Sequence, residues 1–234
     1  MAVSLRGVPA VLLPGTGSDD DYVYRAFSGP LHDVGAVVVA VCPQPRRLIE
    51  GYLAALDEAA FGQPIAVGGV SIGAAVACAW ALRHPGRVIA VLAALPAWSG
   101  SPVTAPAAMA ARYSAEALRR DGLTAAVQQM RATSPPWLAD ELTRSWVGQW
   151  PDLPDAMTAA ASYRAPTPQQ LAALAAPLGV VAAVDDPVHP LEVGVEWAAA
   201  APRGALRTVT LDEFGRQPAA LGAACLAALA DAAG

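Results

Sequence analysis

The sequence of 234 residues is 55% hydrophobic and carries a net charge of −5. No apolar run reaches the ~18 residues that a membrane span needs, and no basic stripe is present, so we expect neither a membrane span nor a nucleic-acid partner. The three cysteines, Cys42, Cys78 and Cys225, lie far apart in apolar contexts, which favours free thiols in a reducing cytoplasm over disulfides or a metal site.

Short apolar runs alternate along the chain with longer segments rich in alanine and leucine. The short runs show no polar alternation, which is typical of parallel strands covered by helices on both faces. This order predicts an α/β fold with a doubly wound, mostly parallel sheet of six strands, in spatial order 2-1-3-4-5-6 with right-handed crossovers. An acidic run at 19–21 predicts a helix start after the first strand. The predicted strands are 8–13, 35–41, 64–68, 88–95, 178–184 and 206–211, and the other predicted core helices are 47–60, 73–84, 191–200 and 219–233.

One long stretch interrupts this rhythm. From residue 97 to about residue 177 no run resembles a strand, and four helical segments are predicted instead, at 105–120, 123–132, 138–150 and 154–162. An insertion of this size is usually functional, often as a cap or lid. We therefore predict a core at 1–96 and 171–234 with a helical cap at 97–170. Four tryptophans fall in the insertion, and they either contact the substrate, with Trp98 as the first candidate, or form a small helical core: Trp98, Trp137, Trp146 and Trp150.

The sequence Gly-Val-Ser-Ile-Gly at 69–73 falls between a predicted strand and a predicted helix. The pattern alone is common, but this context is the one that a nucleophile elbow requires. In such a turn Ser71 projects from the carboxyl edge of the sheet, and the following N–H and the helix N-terminus face developing negative charge. The alternative is a glycine-rich turn in which the serine is incidental.

From this turn outward the chain resembles the α/β-hydrolase superfamily, from about residue 8 to its end and without the family's first two strands. The sequence Leu-Leu-Pro-Gly-Thr-Gly at 12–17 looks like the family's oxyanion loop, with Pro14 in place of its usual histidine. The resemblance implies that the backbone N–H groups of Thr16 and Ile72 form the oxyanion hole, and that Gly15 and Gly17 contact the substrate. A phosphate-binding loop is a weaker interpretation, because no Gly-Lys-Ser/Thr follows.

A second loop resembles the place of the family's triad acid. The sequence Val-Asp-Asp-Pro-Val-His-Pro at 184–190 follows the fifth predicted strand, and Asp186 fits the acid position. Asp185 and Asp186 have an alternative interpretation as ordinary turn and capping residues.

The family's general base usually follows the last strand, where this chain has Arg216. An arginine has no acceptor lone pair and cannot take the serine proton. His84 lies thirteen residues along the helix from Ser71, roughly 20 Å away, and His32 lies at the opposite edge of the sheet. His189 alone is at the correct edge, as either the base or a structural, ligand-orienting residue, so the sequence predicts an incomplete triad.

Two functions fit these residues. The first is a serine hydrolase, an esterase or thioesterase acting on a small apolar acyl ester, with Ser71 as nucleophile, Asp186 as acid and His189 as provisional base. The second is a catalytically impaired protein of the same fold that binds a small anionic or apolar ligand, with Arg216 as a fixed positive charge. A dinucleotide-binding oxidoreductase is a weaker interpretation, because the first strand-turn lacks G-x-G-x-x-G. We therefore expect a small-molecule partner, no cofactor and no metal.

Overall fold

The computed structural model of the protein describes residues 3–234, in which six strands form a single sheet. All neighbouring strands pair in parallel, in the order β2-β1-β3-β4-β5-β6. The predicted α/β class and strand order are therefore confirmed. The first two residues of the predicted core range 1–96 lie outside the described residues. The strands are β1 Pro9–Leu13, β2 Val37–Ala40, β3 Ile65–Val70, β4 Val88–Ala94, β5 Leu178–Ala183 and β6 Gly204–Val209.

Helices fill most of the chain between the strands. The first begins after Asp19, whose carboxylate accepts a hydrogen bond from the N–H of Tyr22, as expected for an acidic N-cap. The helices are α1 Asp20–Asp33, α2 Leu48–Ala59, α3 Ile72–Arg83, α4 Pro106–Thr133, α5 Pro136–Gln149, α6 Leu153–Ser162, α7 Pro168–Leu171, α8 Leu191–Ala200, α9 Leu211–Arg216 and α10 Ala219–Ala233.

Two apolar layers cover the sheet because successive strand side chains point to opposite faces. Val11 and Val67 belong to the layer that includes α2, α3 and α8. Leu12 and Leu92 belong to the opposite layer, which includes α1 and α10. Both faces of the central strands are therefore buried, which explains why their sequences lack polar alternation.

The insertion between β4 and β5 is helical, as the sequence predicted. It contains α4, α5, α6 and α7, and α4 pairs mainly with α6. Gly122 has φ 79° and ψ 172° within α4, so the chain kinks there into two helical arms that match the two predicted segments. The division of the chain into a core and a cap domain stays a prediction.

The end of the sheet differs from the sequence-based prediction. We predicted strand to residue 211 followed by a loop, whereas β6 ends at Val209 and α9 begins at Leu211. The Thr210 hydroxyl accepts from the N–H of Glu213, and the Glu213 carboxylate accepts from the N–H of Thr210 at 2.6 Å. This capping box starts a helix directly after the strand. Within residues 3–234, no helix is both long and apolar enough to cross a membrane.

Candidate active site

Ser71 lies in the tight turn between β3 and α3 that the glycine pattern predicted. Its φ of 55° and ψ of −115° fall in a region that non-glycine residues rarely adopt, and such strain is concentrated at functional sites. The N–H of Ser71 donates to the carbonyl oxygen of Ala94 at 2.9 Å, which fastens the turn to the end of β4. The residue is buried, and it lines a cavity at the carboxyl edge of the sheet.

The two flanking glycines allow the end of β1 to approach the turn. A Cβ atom at Gly69 would lie 2.2 Å from the carbonyl oxygen of Leu13, and one at Gly73 would lie 2.1 Å from the same atom. Gly15 follows in the next loop, where an added Cβ would lie 3.6 Å from the Cβ of Ser71. Close backbone packing therefore brings the loop at 14–17 beside the serine.

This loop carries Thr16, which the sequence predicted as one of two oxyanion donors. Thr16 lines the cavity, and Ile72 is the first residue of α3. Neither N–H donates to a backbone acceptor within residues 3–234, so both are free to bind a ligand oxygen. The hydroxyl of Tyr52, on α2, donates to the carbonyl oxygen of Pro14 at 3.1 Å and so links the loop to α2. The positive end of the α3 dipole adds to the attraction for negative charge.

Asp186, His189 and Ser71 form a continuous hydrogen-bonded chain. Asp186 Oδ1 accepts from the backbone N–H groups of Val188 and His189, at 2.8 and 3.2 Å, which closes a tight turn. The turn places His189 Nδ1 2.8 Å from Asp186 Oδ2 and His189 Nε2 3.0 Å from Ser71 Oγ. An ionised carboxylate only accepts, so Nδ1 carries the proton and Nε2 is left as the acceptor for the serine hydroxyl. This arrangement suits removal of the serine proton.

The charge of Asp186 is stabilised by the same contacts. Burial works to raise the pKa of this carboxyl group, but the hydrogen bond and positive field of His189, together with the two backbone N–H donors, outweigh it and lower the pKa. Asp186 therefore remains an anion that can orient the imidazole and stabilise an imidazolium.

The cavity above Ser71 has a volume of about 430 Å³. Its cap side is mostly apolar and comes from α4 and α5, with Met130, Trp137, Leu138 and Trp146 among the larger side chains. Among the described residues, no arginine lines it. The site therefore offers apolar volume beside the serine without a fixed positive charge.

Solved hydrolase structures superimpose on this chain, although no protein-family model and no curated protein sequence matches it. A thermophilic esterase from Thermogutta terrifontis superimposes over 98% of this chain and 92% of its own, with a TM-score of 0.71 and 20% identity. An enol-lactonase from Burkholderia xenovorans superimposes over 92% of this chain and 91% of its own, with a TM-score of 0.66 and 18% identity. A hydrolase from Pseudomonas aeruginosa superimposes over 95% of this chain and 90% of its own, with a TM-score of 0.67 and 23% identity. The chain has the α/β-hydrolase fold.

Arg216 does not occupy the position expected of it in this fold. It ends α9, its side chain is 80% exposed, and it pairs with Asp212 one turn earlier at 2.8 Å. It does not line the cavity. The expected loop after the last strand is replaced by α9, and Arg216 lies at the exposed end of this helix. The assignment of Arg216 to the cavity is therefore corrected, and the imidazole that contacts Ser71 comes from the acid loop instead.

Two further residues assigned to the substrate from the sequence lie elsewhere. Trp98 is buried, and its indole N–H donates to the carbonyl oxygen of Tyr163 at 3.1 Å, so it packs away from the cavity. Gly17 is also absent from the cavity wall, since it lies against Trp146, whose Nε1 is 2.8 Å from where a Cβ would stand. Gly15 and Thr16, by contrast, do line the cavity.

Several cavity residues were missed from the sequence, among them Tyr22 and Glu141. Glu141 on α5 accepts hydrogen bonds from Arg25 on α1 at 2.8 and 2.7 Å. Arg144 on α5 reaches Asp19 at 2.6 Å. These ion pairs fasten α5 to α1 beside the site. The acidic run at 19–21 was visible, but its pairing with residues about 120 positions later depends on the tertiary fold.

Proposed function

We propose that the protein is a serine hydrolase that cleaves carboxylic esters or thioesters with small, neutral, largely apolar acyl groups. The observation that carries this proposal is the bridging position of His189, with one ring nitrogen 3.0 Å from Ser71 Oγ and the other 2.8 Å from Asp186. Nucleophile, base and orienting acid in that relation define a catalytic triad by geometry, independently of their order in the sequence.

The residues would act in two half-reactions. Ser71 Oγ attacks the acyl carbonyl carbon while His189 Nε2 takes its proton, and the carbonyl oxygen becomes an oxyanion held by the N–H groups of Thr16 and Ile72. The imidazolium, steadied by Asp186, then protonates the leaving alcohol or thiol as the carbon–oxygen or carbon–sulfur bond breaks. Water repeats the sequence on the acyl-enzyme with His189 as base, which releases the acid and regenerates Ser71.

The shape and charge of the cavity support a neutral apolar acyl group. About 430 Å³ of space with a wall of alanine, leucine, methionine and tryptophan suits a short acyl chain. Two carboxylates, Asp186 and Glu141, line it, and no arginine does among the described residues. An anionic substrate would therefore find no arginine free to bind it among these residues, since Arg25 and Arg144 already pair with Glu141.

The printed functions of the structural neighbours are consistent with this class, since an esterase and an enol-lactonase both cleave carboxylic esters. Binding of an anionic ligand at Arg216 has no comparable support, because that side chain pairs with Asp212 in solvent.

The proposal is tested with purified protein and 4-nitrophenyl esters of increasing acyl length, from acetate to decanoate. We expect release of 4-nitrophenol with kcat/KM highest at short or intermediate acyl lengths, because the cavity is limited in volume. Ser71→Ala is the matched control, and it should remove the activity while leaving the unfolding temperature within a few degrees. Hydrolysis no faster in the natural protein than in Ser71→Ala, for every ester, would reject the proposed function.

A further inference from the structure

One wall of the cavity carries hydroxyl groups that the triad does not use. Thr16, Ser18 and Tyr22 all line the cavity, and they come from the loop after β1 and the first turn of α1. None of the three hydroxyls forms a hydrogen bond with another group in residues 3–234. The opposite wall, from α4, α5 and the residues between them, is mostly apolar but also carries Tyr113, Ser114, Thr133 and Ser134.

Tyr22 is the most enclosed of the three, with only 8% of its surface exposed. Trp146 Nε1 is the one fully enclosed side-chain polar atom without a partner in the described residues. The unpaired Tyr22 oxygen is therefore accessible, and its side chain lines the cavity. A buried hydroxyl without a partner costs free energy unless water or a ligand satisfies it.

The charges around Tyr22 keep its hydroxyl neutral and unpaired. Burial, and then the Glu141 carboxylate, raise the pKa of Tyr22, so the proton is retained. Both oxygens of Glu141 are already bonded, to Arg25 at 2.8 and 2.7 Å and to Arg144 at 2.9 Å. Glu141 acts on Tyr22 through its charge and not through a hydrogen bond, so the Tyr22 O–H remains available as a donor.

We propose that Tyr22, assisted by Ser18, binds a neutral oxygen atom within the acyl part of the substrate. This inference rests on the proposed hydrolase function and narrows it to acyl groups that carry an ether, carbonyl or hydroxyl oxygen. The strand order indicates which part of the substrate contacts the hydroxyl wall, the cavity wall that carries Thr16, Ser18 and Tyr22. His189 follows β5 and the hydroxyl wall follows β1, on opposite sides of β3 and Ser71. The leaving group must stay near His189, which protonates it, so the hydroxyl wall faces the acyl part.

The test uses two esters that differ by one atom, ethyl 3-methoxypropanoate and ethyl pentanoate. In the first, an ether oxygen replaces a methylene of the acyl chain. We expect Tyr22→Phe to lower the ratio of their kcat/KM values by about fivefold, the size expected for one neutral hydrogen bond. Any intrinsic effect of the oxygen on carbonyl reactivity is the same for both proteins and cancels. Ser18→Ala should lower the ratio by a smaller factor, and Tyr24→Phe, an exposed tyrosine on the same helix outside the cavity, should not change it.

Binding to catalytically inactive protein separates this inference from the proposed function. In the Ser71→Ala background, the ratio of the Kd of ethyl pentanoate to the Kd of ethyl 3-methoxypropanoate, measured by NMR titration, should fall about fivefold when Tyr22→Phe is added. This pattern without ester hydrolysis by the natural protein would reject the hydrolase and leave the subsite standing.

Two results would overturn the inference. One is that Tyr22→Phe leaves the preference for ethyl 3-methoxypropanoate over ethyl pentanoate unchanged, both in kcat/KM and in Kd. The other is an effect of Tyr22→Phe on the pair 2-methoxyethyl pentanoate and butyl pentanoate alone, since Tyr22 would then contact the leaving group.

Discussion

Replacement of His189 by alanine should abolish esterase activity almost completely. His189 Nε2 is the one imidazole nitrogen in contact with Ser71 Oγ, at 3.0 Å. Among the described residues that line the cavity, the carboxylate other than Asp186 is Glu141, and Arg25 and Arg144 already hold it. No substitute base is therefore present. Loss of the base from a triad lowers kcat by about 10⁴- to 10⁶-fold, or roughly 5.5–8 kcal/mol of transition-state stabilisation.

Arg216 provides the matched contrast. Its ion pair with Asp212 is exposed on both sides, at 80% and 66%, and such a helical pair contributes about 0.3–0.5 kcal/mol. Because the Arg216 side chain also does not line the cavity, Arg216→Ala and Arg216→His should keep kcat/KM for 4-nitrophenyl butyrate within about twofold of the natural protein. Added imidazole should restore part of the activity of His189→Ala. The reasoning would be refuted if His189→Ala kept a tenth of the activity, or if Arg216→Ala lost most of it.

Three further substitutions test the supporting geometry. Gly73→Ala places a Cβ 2.1 Å from the carbonyl oxygen of Leu13, so urea unfolding should show a loss of roughly 1–3 kcal/mol, whereas no change would mean that the two chains are not in close contact. Gly17→Ala adds strain at φ +69° and a 2.8 Å contact with Trp146 Nε1, and displacement of the oxyanion loop should lower kcat by up to about 100-fold, with circular dichroism confirming the fold. Asp186 has a lowered pKa in the folded state, so it stabilises the fold above the ordinary carboxyl pKa of about 3.9, and this stabilisation is lost as the pH falls through the folded value. The difference in unfolding free energy between the natural protein and Asp186→Asn should therefore shrink as the pH falls below about 4, and a difference that does not change in this acid range would contradict the assignment.

The sheet and the serine turn could be predicted because their determinants are local. Apolar strands without alternation require cover on both faces, and only glycine fits at 69 and 73, where an added Cβ would lie about 2 Å from the carbonyl oxygen of Leu13. The strand order followed from these runs and from the resemblance to a known fold. Such features depend on residues that are close in sequence, and they are therefore readable from it.

The position of the base could not be predicted in the same way. The sequence places His189 three residues after Asp186, which by itself suggests a turn residue. Only the geometry of that turn, in which Asp186 Oδ1 accepts two backbone N–H groups, aims the ring at Ser71. The misassignment of Arg216 had a readable warning, since Thr210 and Glu213 form a Thr-x-x-Glu capping box that predicts a helix.

The cavity walls were the least predictable part of the site. Tyr22 and Trp137 are separated by more than a hundred residues, and they line one cavity at the place where Arg25 of α1 pairs with Glu141 of α5. Tryptophans in the insertion were candidates as a group, but Trp98 and Trp146, both buried, have different surroundings. Trp146 lines the cavity whereas Trp98 is satisfied by a backbone carbonyl in the interior. Choosing among them requires long-range contacts that composition does not contain.

The most direct test of the central claim, that His189 and Asp186 activate Ser71, is the rate of covalent labelling by a fluorophosphonate probe. This reagent reports an activated serine without knowledge of the substrate. We predict one label per chain, located on Ser71 by peptide mass spectrometry, at a rate that falls at least about 100-fold in His189→Ala, as expected when a general base is removed, and is unchanged in Arg216→Ala. Absence of labelling in the natural protein, or labelling of Ser71 that is equally fast without His189, would contradict the account.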